Sequence, residues 1–338
     1  MARVDRESVY QRYCVVSETG FSFSRAACVS RRRDNRRACA AGSPAIGGGS
    51  FEPATRAGGC KEPGRVSHNW PMPGYFTDDS MIRRIHREHV VGLSGARSLL
   101  MQAAHPVAFT GFFMSTGDLD DPYARLQRTA RVLDTIVWGE RVDADEVTAA
   151  VRRVHSRTRG TLPEAAGKFP AGTPWAADDP ALLLWILATL ADSGQLVFSR
   201  YVRGLTKHER DLYWQDWRVV GQLFGLAPSE MPENSSELRD YVREMVTGDA
   251  LHVSPKAREL GVEIVLHPPV PLSARPLLEL ANFIIVGLLP GRIRRQYGLW
   301  WDPVRTVMLH AGAESTKRML VPLLPGALRF RSGRPRAA

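Results

Sequence analysis

From about Thr77 to Pro325 the apolar positions recur at helical spacing almost without interruption. Start signals punctuate the pattern. Thr77-Asp78-Asp79-Ser80 precedes a first helix, and Asp121-Pro122 opens a later one, with proline at a tolerated first-turn position. Asp143 with Glu146, and Thr206 with Glu209, have capping-box spacing. Asp178-Asp179-Pro180 and Ser254-Pro255 open two more. Breakers separate these segments at Pro106, Gly139, Gly160 to Pro174, Gly204, Pro228 to Pro232 and Pro268 to Pro271. Short apolar runs such as Ile284-Ile285-Val286 show no alternation and no hairpin turn signal, so they too read as helix. The pattern predicts an all-α fold of roughly eight to ten helices in a single bundle over residues 77–325. Ala181 to Leu190 is apolar on most faces, which predicts a buried central helix and room for a ligand between helices.

The flanks differ. Residues 1–76 hold Arg31-Arg32-Arg33, Gly47-Gly48-Gly49 and no sustained period, and are expected to be a disordered basic extension. An over-extended start would explain them equally, since Met72 or Met81 would begin a more ordinary sequence. Residues 326–338 read as a basic flexible tail.

Charge changes the picture only there. The net charge is +10, but Met1 to Trp70 carries twelve Lys+Arg against six Asp+Glu, so the body holds about +4. No basic stripe interleaved with aromatics follows, which argues against nucleic acid. All four cysteines (Cys14, Cys28, Cys39, Cys60) lie in the extension at spacings that match no zinc site. No secretory leader is visible. The run Pro276 to Leu289 contains Glu279 and Asn282 and is too short to span a bilayer, so a buried core helix is expected. The chain is expected in the cytoplasm, with peripheral membrane association left open.

The candidate chemistry lies in two consecutive segments. Arg125 and Thr129 are four residues apart and share a helical face, and Arg128 borders it. The next helix carries His155. A short connection makes such helices antiparallel, which sets His155 opposite the Arg125/Thr129 face. A neutral imidazole is a good iron ligand, and arginine offers planar donors. Each feature also has a plain structural reading: histidines on amphipathic helices are often at the surface, and a threonine hydroxyl often bonds back to the preceding turn.

Three stretches together resemble the MpaB-type oxygenase family, which includes the latex-clearing proteins, or rubber oxygenases. They are Ser94-Gly95-Ala96-Arg97-Ser98-Leu99-Leu100-Met101-Gln102-Ala103-Ala104-His105-Pro106, Arg125-Leu126-Gln127-Arg128-Thr129-Ala130, and Val154-His155-Ser156-Arg157-Thr158-Arg159-Gly160. Val202-Arg203-Gly204-Leu205-Thr206 and Gln296-Tyr297-Gly298-Leu299 extend the resemblance to about residues 77–325. It implies a globin-like helical core holding haem b, with His155 as the iron ligand and Arg125 and Thr129 near the haem. The rubber oxygenases have a distal lysine where this chain has Arg128. An arginine stays protonated and cannot ligate iron. The resemblance with this departure implies an open or water-filled distal position, and Arg128 as a hydrogen-bond donor to oxygen.

Other residues compete. His105 reads as a capping or core histidine. His86 and His89 have metal-pair spacing but no third ligand nearby, and His252, His267 and His310 are isolated. Asp192 interrupts an apolar helix and needs a cationic partner, with Arg125, Arg128 and Arg203 as candidates. No G-x-S-x-G, G-x-x-x-x-G-K-[ST], H-E-x-x-H or dinucleotide fingerprint occurs. The reading is a haem b-dependent, dioxygenase-like enzyme using dioxygen on an apolar, unsaturated substrate. The walls of its pocket would come from Ala181–Leu190 and Leu277–Leu289. A non-catalytic carrier of haem or a lipid-like ligand, and a peripheral membrane protein, are the alternatives.

Overall fold

The computed structural model describes residues 74–111 and 122–331. The four cysteines, Met72, Asp121 and the end of the basic tail lie outside these residues. Helices dominate: α1 (Met81–His86), α2 (Leu93–Ala103), α3 (Pro106–Phe109), α4 (Pro122–Trp138), α5 (Arg141–His155), α6 (Pro180–Tyr201), α7 (Lys207–Leu223), α8 (Ser235–Thr247), α9 (Pro255–Leu266), α10 (Arg275–Leu288), α11 (Gly291–Gln296), α12 (Pro303–Ser315), α13 (Val321–Leu323) and α14 (Gly326–Arg329). A π-helical turn, Thr316–Leu320, joins α12 to α13. The fold is all-α, as the periodicity predicts.

Most start signals do what their chemistry requires. Thr206 Oγ1 accepts from Glu209 N at 3.1 Å and the Glu209 carboxylate accepts from Thr206 N at 2.9 Å, a complete capping box. Asp179 caps α6 and Ser254 caps α9. Ser80 precedes α1 without a side-chain cap, and the Asp143/Glu146 spacing caps nothing. The helix begins earlier, after Glu140, and Asp143 sits inside its first turn. A second difference falls in the Gly160 to Pro174 breaker region. Strands β1 (Arg159–Thr161) and β2 (Pro174–Ala176) pair antiparallel there, with Gly160 opposite Trp175. A Cβ on Gly160 would lie 2.7 Å from the Trp175 ring, so only glycine admits that indole.

The core centres on α2 and α6, which pack along each other, with α7, α8, α9 and α10 around them. The buried apolar side chains form one cluster, in which Trp185, Trp214, Ile82, Ile85, Leu100 and Met101 are fully enclosed. Helix α6 is long and apolar enough to cross a membrane. It packs instead as a core helix, with Trp185, Leu187, Ala188 and Ala191 buried. The expectation for Pro276 to Leu289 needs correction. In α10 only Ile285 and Leu288 are buried, and Leu277 is 71% exposed. One side of α10 meets α2 and α12, and Leu277, Glu279 and Leu280 in its first half are exposed.

Candidate functional site

Helices α4 and α5 are joined by Gly139 and Glu140 alone and pack against each other. Arg125 lies in the first turn of α4 and His155 is the last residue of α5. The short connection therefore returns the C-terminus of α5 to the N-terminus of α4. The two side chains are near enough for the Arg125 guanidinium to depress the His155 pKa. Burial is the larger cause of that depression, and the Asp178 carboxylate pulls the other way. The balance favours the neutral imidazole, the form that can ligate a metal.

The His155 ring is half-buried, and its Nδ1 is enclosed with no hydrogen-bond partner. A buried ring nitrogen without a partner costs free energy and is an exception among native polar groups. Asp178 immediately precedes Asp179, the cap of α6. The α6 N-terminus therefore also lies near His155, and it bears the half-buried Leu182, Leu183 and Leu184.

Arg125 is half-buried, whereas Arg128 and Thr129 are exposed on the outer side of α4. The Thr129 hydroxyl donates to the Arg125 carbonyl oxygen at 3.2 Å. That is the local back-bond such residues often make in helices. Arg125 and Arg128 both have further interactions within the chain.

Two other histidines have structural roles. His105 is buried, and its Nδ1 accepts from Ala108 N at 3.3 Å, capping α3. Burial holds it at about 4. His86 Nε2 lies 2.9 Å from the Tyr213 hydroxyl, and burial lowers it too to about 4. His89 is exposed, and no cluster of three metal-ligating side chains exists among the described residues.

Asp192 does find a cation, but none of the expected ones. Arg97 Nη1 reaches its carboxylate at 2.9 Å and Ser193 Oγ at 2.6 Å, while Arg97 Nε donates to Leu288 O at 2.9 Å. This network joins α2, α6 and α10 and makes a structural ion pair. Its signal in the sequence was an arginine inside the apolar stretch Ala96 to Met101, a residue that must be paired if buried.

A cleft of about 600 Å³ lies elsewhere, between α10 and α12, where Phe283, Val286, Trp300, Trp301 and Met308 line it.

Comparison with curated proteins and with solved structures found no match. A family model does match, over residues 83–318, a span that holds α2, the Arg125–Thr129 turn and His155. The chain belongs to the family described as ER-bound oxygenase mpaB/B'/rubber oxygenase, catalytic domain, and is thus an oxidoreductase of the oxygenase class.

Proposed function

We propose that this oxygenase uses haem b, held through His155, and acts with dioxygen on an apolar, unsaturated substrate. The observation that carries the reading is the His155 ring: neutral by its surroundings, and with one ring nitrogen buried and unpartnered. A b-type haem needs only one side-chain ligand, because the macrocycle supplies the other nitrogens. A lone imidazole therefore fits this group where it would not fit a bare divalent ion. When bound, haem supplies the redox-active iron that makes dioxygen reactive.

The chain's own residues would do the rest. His155 fixes the cofactor. Burial keeps that imidazole unprotonated, and Arg125 adds to the effect and supplies a cation for a carboxylate. Arg128 stays protonated, so it serves as a hydrogen-bond donor and never as a ligand. Thr129 adds a hydroxyl on the same turn. Leu182 to Leu184 offer apolar surface for a hydrophobic substrate and keep water away.

The test is the absorption spectrum of the full chain supplied with haem, beside its His155→Ala variant. A haem band in the parent and its loss in the variant are expected, and equal haem content in both overturns the ligand assignment. Oxygen uptake by the loaded protein with an unsaturated hydrocarbon tests the substrate class, and none with any such compound overturns it.

A further inference from the structure

Among the described residues, exposed apolar side chains concentrate far along the chain, on α10, α12 and the loop between α11 and α12. Leu277 and Leu280 project from α10, and Trp300 from the loop, where it is 67% exposed. On α12 the outward positions are Val304, Val307 and Met308, spaced three and four apart, so they form one stripe. The opposite side of α12 is already spent on the core through Leu309 and Ala313. Helices α10 and α12 pack against each other, and the 600 Å³ cleft between them is lined by Glu279, Trp300 and Met308. The two exposed rows therefore border a single continuous surface. Patches of this kind mark a binding partner, whereas scattered apolar residues do not.

We infer that this surface docks on an anionic lipid bilayer. Charge decides the occupant. Residues 272–331 hold nine Lys+Arg and three Asp+Glu, and with Arg329 paired to Glu88 and Arg331 to Asp134 outside this stretch the remaining excess is +4. A two-fold contact between copies would set this excess of like charge against itself, whereas an anionic headgroup layer complements it. The aromatic chemistry agrees. The Arg305 guanidinium lies 4.3 Å from the Trp300 ring centroid, and Arg294 lies 5.0 Å from that of Trp301. Tryptophan flanked by arginine suits the headgroup boundary, where the ring enters the apolar layer and the cation stays with phosphate. The inference stands on these exposed rows and not on His155, so it survives or fails independently of the cofactor reading.

The test is flotation of the full chain with phosphatidylcholine–phosphatidylserine vesicles. V307E/M308E alters only exposed positions, so the variant should fold, which circular dichroism checks. The parent is expected to float with the vesicles, and the double variant to partition at least about tenfold more weakly, from two lost apolar insertions. Val142→Glu, an exposed apolar position on α5, should float like the parent. Equal flotation of V307E/M308E and the parent overturns the proposal, because the basic N-terminus would then be carrying the binding. Binding indifferent to phosphatidylserine overturns the anionic partner. A parent that ignores vesicles and forms dimers split by V307E/M308E assigns the surface to a second copy instead.

Discussion

Arg97 on α2 and Asp192 on α6 meet at 2.9 Å with the guanidinium side chain only 4% exposed. The pair spans the two central helices, and Arg97 also ties down the Leu288 carbonyl at the end of α10. Removing one partner leaves the other buried and uncompensated, which costs about 3 kcal/mol or more. Asp192→Ala should lose that much in urea unfolding. R97M/D192L should lose less than the two single variants together. Strict additivity would show that the ions do not act as a pair.

A second close approach lies next to the first. Gly194 sits in the middle of α6, a position where glycine is poor for helix. A Cβ there would collide with the Tyr213 hydroxyl and stand 3.3 Å from His86 Nε2. Glycine is what lets α7 bring Tyr213 against α6 and reach His86. Gly194→Ala should destabilise by about 1–3 kcal/mol despite its better helix propensity. A stabilised variant in thermal unfolding would mean that Tyr213 moves aside freely.

The titration of His155 tests the geometry at the α4–α5 end. Arg125 lowers this imidazole and Asp178 raises it. Arg125→Gln should therefore move the His155 transition up in pH, and Asp178→Asn should move it down. Histidine ring signals in NMR, recorded without cofactor, read both directions. If neither substitution shifts the transition, Arg125 is not beside the ring and the site loses its polar partner.

Much of this was legible in the sequence where the information is local. Thr206 with Glu209, Asp179 and Ser254 each mark a helix start by chemistry acting within three residues. The packing of α4 against α5 was legible too, because a two-residue connection leaves them little choice but to pack against each other. The failures have non-local causes. Strands β1 and β2 are three residues each, too short to show alternation. Asp143 and Glu146 had the right spacing at the wrong register, since a capping box says nothing when an earlier residue starts the helix. An apolar run such as Leu277 to Leu289 shows that a helix could be buried, yet only its neighbours decide how much of it is. Asp192 announces that it needs a cation, but spacing along the chain points no more to Arg97 than to Arg125, Arg128 or Arg203, and only the packing of α2 on α6 brings Arg97 to it.

Acid should unfold this protein in a window set by its histidines. Burial holds His86 and His105 at about 4, against an unfolded value near 6.5. Between those values the unfolded chain takes up protons that the folded chain refuses, so stability falls as pH drops from about 6.5 to about 4. Each histidine contributes a loss of at most about 3 kcal/mol across the window. His155, also depressed, pulls in the same direction. The carboxylates act lower down. Glu209, held at about 2 by Arg203, supports the fold above its ordinary range and loses that support only as pH falls toward about 2. The histidine limb can be isolated with His105→Asn. An asparagine oxygen can accept from Ala108 N as the imidazole does, so the cap on α3 survives while the titration disappears. Urea unfolding across the window should show a shallower pH dependence in this variant than in the parent. An unchanged slope would mean that His105 takes up its proton while folded, and that the ring is less enclosed than its packing against Phe169 at 5.2 Å requires.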